Sequence, residues 1–167
     1  MLQQIGFGGG CHWCTEAVFQ HLKGVAKVHQ GWIAAKDNPD FFSEAVLVHY
    51  DEDIIPLAVL VKAHLITHSS TSQHAMREKY RSAVYVFDDC QKRKAHDCLQ
   101  QLQPEFDQPL VTQTMDFGAF KSNTDFFTNY YLNKPEAPFC ERHIQPKLFL
   151  LQRSLGSYFK EPLDSYE

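Results

Sequence analysis

Two cysteines, Cys11 and Cys14, stand two residues apart at the end of a glycine run in "GFGGGCHWCTEAVFQ", Gly6 to Gln20. A thiol in such a place could be a metal ligand, half of a redox pair, a nucleophile or an inert buried side chain. Three glycines between an apolar stretch and a helical pattern let the backbone turn sharply and leave the next side chain exposed. Cys11 then falls at a helix N-terminus, where unpaired N–H groups and the helix dipole favour an anion. Such a setting lowers a thiol pKa from ~8.5 into the range ~3.5–7.5, which makes a nucleophilic thiolate available at neutral pH. The stretch lacks the G-x-G-x-x-G or the closing Lys-Ser/Thr of a phosphate-binding loop. A zinc site would need two more ligands, and His64 and His68 lie one helical turn apart. However, 49 residues separate Cys14 from His64, far beyond compact zinc-finger spacing. The inert, buried reading suits Cys90 and Cys98, which receive no role.

The elements that must position Cys11 follow from periodicity. Leu2 to Phe7 suits a first strand, ended by Gly8-Gly9-Gly10. Cys14, Ala17, Val18, His21 and Leu22 follow helical spacing up to Gly24. Val25 to Ile33 and Ser43 to Asp51 read as strands, and Ile54-Ile55-Pro56 leads into a helix ending near His68. A polar loop, Ser69 to Gln73, precedes a short basic segment. Tyr80 to Phe87, "YRSAVYVF", is the clearest strand. A charged helix follows from Asp88 to Gln103, then a strand from Leu110 to Thr114 and a helix between Pro146 and Lys160. The order strand, helix, strand, strand, helix, strand predicts an α+β fold. Its core would be a ferredoxin-like split β-α-β two-layer unit with an extended, partly irregular C-terminal half.

The 167 residues suit a single domain spanning 1–167. A net charge of -4 offers no basic footprint for nucleic acid. Five irregularly spaced cysteines do not make a secreted disulfide framework. The N-terminal "MLQQIGF" has no signal-peptide pattern, and no apolar run reaches the ~18 residues of a membrane span. The expectation is a soluble, cytoplasmic chain with neither nucleic-acid nor membrane partners, where a cysteine pair is catalytic or metal-binding rather than structural.

With Cys11 placed, "GGGCHWCTEAVF" resembles the active-site segment of the A-type peptide methionine sulfoxide reductases, in which Gly-Cys-Phe-Trp is followed two residues later by Glu. "SEAVLVHYD" is similar to the family's Ala-Glu-Val-Val strand ending in Tyr-Asp, and "KYRSAVY" to its Gln-Tyr-Arg-Ser-Ala-Ile-Tyr strand. "NYYLNKPEAPFC" resembles its C-terminal Tyr-Leu stretch leading to a cysteine. The resemblance runs from about residue 5 to 140.

The resemblance implies reduction of methionine S-sulfoxide, free or in proteins, without a bound cofactor or metal. Cys11 would attack the sulfoxide sulfur, Glu44 would protonate the departing oxygen, and Tyr80 would hydrogen-bond that oxygen. Trp13 would wall the methyl pocket. Cys11 would be left as a sulfenic acid that condenses with a second thiol. Cys140 matches the family's resolving cysteine, in a segment expected to be mobile; Cys14 is the local rival, since its spacing also permits a disulfide. A thioredoxin-like or other dithiol reductant would restore the thiols. Unaided, Glu44 reads equally as a charged strand opener and Tyr80 as a packed aromatic.

Several positions depart from the family. His12 replaces the usual phenylalanine beside the nucleophile; it could line the substrate pocket, pair with the thiolate, act as an acid near neutral pH, or simply pack. Ala75, next to His74, stands where an aspartate is usual. Phe41 takes the place of, or marks the deletion of, a second oxygen-binding tyrosine, and Phe127 replaces a customary histidine. Two further readings stay open: the same thiol chemistry on a different sulfoxide, and a non-catalytic zinc-binding or redox-sensing module built on Cys11 and Cys14.

Overall fold

The computed structural model describes residues 2–72, 81–123, 128–134 and 136–160. Five strands carry the molecule: β1 (Leu2–Gly8), β2 (Val25–Ala35), β3 (Phe42–Asp51), β4 (Ala83–Val86) and β5 (Gln113–Ser122). The principal helices are α1 (His12–Gln20), α2 (Leu57–Thr67), α3 (Asp89–Leu102), the short α4 (Tyr130–Asn133) and α5 (Gln145–Leu155). The fold class is α+β. Each helix expected from periodicity is present, and the first three strands fall where alternation places them.

The strands hydrogen-bond in the order β1-β3-β2-β5-β4 and close into a barrel, because β4 also pairs with β1. All pairings are antiparallel except β4 with β5. Side chains that alternate along a strand divide between two cores. Ile33, Ala35, Ala45, Ala83 and Tyr85 fill the barrel interior. Ile5, Phe7, Val46, Val48, Tyr50, Val84 and Val86 face outward into a larger core with α1, α2 and α5. Gly6 and Gly31 allow the close approaches that a narrow barrel requires: a Cβ on Gly31 would lie 2.0 Å from Lys121 O.

Two elements differ from the sequence reading. The last strand runs over Gln113–Ser122, not Leu110–Thr114. Asp116 and Gly118 interrupt its apolar pattern, and its residues are half-buried or exposed, none of them buried, so its pairing with two other strands, not its own alternation, makes it a strand. The segment before α5 is a π-helical turn, Cys140–Ile144, packed into the main core, rather than a loose connection. On α3, the buried face is Gln91, Ala95 and Leu99. Cys90 is therefore exposed and Cys98 half-buried, which corrects the expectation of two buried thiols. Among the described residues no helix is long and apolar enough to cross a membrane.

Candidate active site

β1 runs straight into the glycine turn, and Cys11 caps α1 with extended backbone, φ -58° and ψ 131°. Its carbonyl accepts the N–H groups of Cys14 at 3.1 Å and Thr15 at 3.2 Å, which starts the helix. Gly9 has φ +142°, and a Cβ there would lie 2.6 Å from the His68 ring; the turn is open only to glycine. Below it, Nε2–H of His64 donates to Gly8 O at 2.7 Å, and His68 Nε2 meets Ser82 Oγ at 2.8 Å. The two imidazoles thus brace the turn, and among the described residues no group of three His, Cys, Asp or Glu could hold a metal ion.

The Cys11 thiol is lowered from its ordinary 9.0 to about 7. The largest cause is a hydrogen bond from the Cys14 thiol; burial opposes it, the Trp13 N–H assists it, and the Glu44 carboxylate opposes it. Cys14 is correspondingly pushed up, because its proton serves that bond and because it is buried. In the ionised form the pair is a thiolate held by a thiol, and Cys14 also feels any charge on Cys140 and on Lys147.

β3 brings Glu44 beside the same helix end. Glu44 is 5% exposed, and Oε1 lies 3.4 Å from both the backbone N and Nε2 of His12. His12, 7% exposed, turns inward to Glu44 and to Gly31 O, 3.1 Å from Nδ1, with its ring edge on Trp32. Trp13 meets Phe139 edge-on, centroids 5.3 Å apart.

Cys140 is 0% exposed; its Sγ donates to Lys134 O at 3.0 Å, and burial pushes its thiol up. Phe41 is 37% exposed and lies under the Arg81 guanidinium, 5.8 Å from its ring centre. The structure therefore gathers Cys11, Cys14, Glu44, His12 and Trp13, and gives Phe41 a partner in Arg81. Tyr80, His74, Ala75 and Phe127 lie outside the described residues.

Two polar residues absent from the sequence reading, Gln30 and Asn123, adjoin this group together with Glu16, the glutamate of the "GGGCHWCTEAVF" stretch. Gln30 on β2 donates to Glu16 Oε1 at 3.0 Å, and Asn123 donates to Gln30 Oε1 at 2.6 Å while also reaching His12 Nε2 at 3.4 Å. No local signal marks Gln30 or Asn123, since they meet only because β5 closes on β2.

A thiol lowered toward neutrality at a helix N-terminus, a second thiol donating to it and a buried carboxyl beside the same helix end are a set that suits thiol chemistry on an α+β barrel. A family model described as peptide methionine sulfoxide reductase matches residues 3–157. A peptide methionine sulfoxide reductase MsrA of Deinococcus radiodurans is 35% identical, covering 92% of this chain and 82% of the relative. The chain belongs to the peptide methionine sulfoxide reductase family. Reduced Mxr1 from Saccharomyces cerevisiae has a similar fold, with a TM-score of 0.75, 19% identity and coverage of 85% of this chain and 91% of that one. Mxr1 in complex with Trx2 is also similar in fold, with a TM-score of 0.61, 19% identity and coverage of 72% and 80%.

Proposed function

We propose that this enzyme reduces the S epimer of methionine sulfoxide, free or in proteins, with Cys11 as nucleophile and Glu44 as acid. The observation that carries the assignment is the Cys11 thiol, lowered to about 7 at the start of α1, with the Glu44 carboxyl against the same helix end. The thiolate attacks the sulfoxide sulfur while Glu44 supplies one proton to the oxygen. The substrate sulfur–oxygen bond breaks, methionine leaves, and the oxygen and proton end on Cys11 as a sulfenic acid. Sulfur in the substrate gains two electrons and the Cys11 sulfur loses them. Tyr80 is carried over from the resemblance as the phenol that holds the oxygen. Trp13, braced by Phe139, supports an apolar wall for the substrate methyl group, and Phe41 remains a candidate at the pocket margin.

A second thiol then displaces hydroxide from the sulfenic acid; water leaves and a disulfide forms. Cys140 is the partner that the resemblance implies, and for that disulfide its buried thiol must give up its hydrogen bond to Lys134 O. A second reading, with Cys14 as the first partner, is favoured by the hydrogen bond that already joins its thiol to Cys11. A thioredoxin-like dithiol then reduces either disulfide. The complex of Saccharomyces cerevisiae Mxr1 with Trx2 is a precedent in a protein of similar fold.

The wider reading is a single domain over residues 1–167 at work in the cytoplasm, where thiols are kept reduced. The sheet order β4-β1-β3-β2, with α1 and α2 as its connections, supports a ferredoxin-like split β-α-β core to which β5 is added.

The test is turnover of each epimer of a peptide methionine sulfoxide with dithiothreitol, in wild type, Cys11→Ser and Glu44→Gln. Turnover of the S epimer should vanish in Cys11→Ser and fall about 10²–10⁴-fold in Glu44→Gln. Failure of folded wild type on both epimers would move the reading to a different sulfoxide.

A further inference from the structure

Reduction of a sulfoxide makes a geometric demand that Cys11 and Glu44 do not meet between them. With the sulfur held at Cys11 and the oxygen at Glu44, the substrate can still turn about the sulfur–oxygen bond. One carbon on that sulfur is a methyl group, and the other leads back to the rest of the substrate. A small apolar corner that takes the methyl group stops the turning and leaves the longer chain toward solvent.

Trp13 offers one side of such a corner. It follows Cys11 by two residues, and its backbone N–H is among the groups that favour the thiolate. A single ring, however, is a face and not a corner. His12, the other neighbour of Cys11, has little surface to add. It is 7% exposed, with Nδ1 3.1 Å from Gly31 O and its ring edge on Trp32. Phe41 is engaged with Arg81, which bonds to Tyr85 and Ile33 of the smaller core.

Phe139 lies against Trp13 instead. The two ring planes stand 87° apart with centroids 5.3 Å apart, so together they make the angle that one ring lacks. Cys11, Trp13 and Phe139 are all partly buried and pack on the same main core. The Phe139 ring is also held from behind. The His143 ring lies 4.8 Å from it, and its backbone is already helical, φ -60° and ψ -43°, at the start of the π-helical turn. The next residue, Cys140, is 0% exposed and donates to Lys134 O at 3.0 Å. A ring locked by its neighbours excludes what a loose ring would let pass.

We propose that Phe139 is a specificity-determining residue for the reduction assigned above to Cys11 and Glu44: its ring and that of Trp13 form the corner that receives the methyl group on the sulfoxide sulfur. A larger alkyl group in that place meets the Phe139 ring. One methylene in an apolar pocket changes discrimination by about 10–200-fold, which sets the size of the effect. The corner is complete while Cys140 is sealed in its turn, in the reduced enzyme that meets substrate.

The experiment is a single turnover of the reduced enzyme on two matched peptides, one with methionine S-sulfoxide and one with an S-ethyl group in place of the S-methyl group. The sulfide formed is measured at several substrate concentrations to give kcat/KM for each. Wild type is compared with Phe139→Ala and Phe139→Leu, both checked for folding by circular dichroism. Within each variant both substrates meet the same thiol, so the ratio of the two constants does not depend on how much thiolate that variant holds. Wild type should favour the methyl substrate by about 10–200-fold. In Phe139→Ala that preference should shrink at least about tenfold, and Phe139→Leu should fall between. A merely structural role would slow both substrates alike and leave the ratio in place, and that result would overturn the proposal. Equal turnover of both substrates by wild type would overturn it as well. No turnover of either methionine sulfoxide epimer by folded wild type would instead overturn the underlying assignment of the reaction, and it is read before any variant is made.

Discussion

At the level of single residues, the Cys11 thiolate owes more to Cys14 than to the helix end alone. A hydrogen bond to the charged form favours that form, and the Cys14 thiol is the largest influence lowering Cys11 to about 7. Alkylation of Cys11 should therefore follow a titration with its midpoint near 7, with about half the thiol ionised at that pH. Cys14→Ala removes the donor, so the midpoint should rise toward 9 and neutral-pH reactivity should drop; an unchanged midpoint would assign the effect to backbone N–H groups. Cys11 was legible in the sequence because its signal is local: glycines, thiol and helical pattern adjoin. The roles of Cys14 and His12 stayed open there because spacing says nothing about which way a side chain turns. Gln30 and Asn123 were invisible, since they lie 93 positions apart along the chain.

At the level of elements, the turn and strands around the site are set by close backbone approach. Gly31 on β2 both touches β5 and offers its carbonyl to His12. Gly31→Ala should cost about 1–3 kcal/mol as an overpacked contact, read as a lower urea midpoint. Activity should fall with it as Gly31 O shifts from Nδ1. The π-helical turn makes a second prediction. With Cys140 sealed inside it, a thiol reagent added to the reduced, folded protein should label Cys11 and exposed Cys90 well before Cys140. Peptide mapping after one equivalent of sulfoxide then separates the two resolving thiols, for a Cys11–Cys14 disulfide leaves Cys140 labelled only on unfolding. The sequence pattern suggested a loose segment here because prolines and charges surround Cys140, whereas its burial comes from contacts with α1, far away in the chain, as well as with α5, which follows directly.

At the level of the whole molecule, two cores share one sheet. Arg81 bonds to two residues of the smaller core, donating to the buried Tyr85 hydroxyl at 3.0 and 3.1 Å and to Ile33 O at 3.3 Å. Tyr85→Phe would leave the guanidinium without that acceptor and should cost about 1–3 kcal/mol, with the larger loss expected if Arg81 cannot turn to water. A urea midpoint equal to wild type would mean that Arg81 does turn to water. The α+β class was readable from the order of elements, because each early strand and helix carries its own period. The closure was not, because β5 has a broken pattern and becomes a strand only when β2 and β4 accept it. That closure has a consequence for an enzyme that reduces methionine sulfoxide, wherever that residue lies within a damaged polypeptide. Oxidised chains that have begun to unfold expose backbone amides and carbonyls in search of partners, and an open sheet would offer them a row to pair with. Here every strand has two neighbours within the described residues, although β1 meets β4 only at Gly6–Gly8 and β2 meets β5 only over Gly31–Ala35, so closure leaves an unfolding chain only short, divided rows to extend.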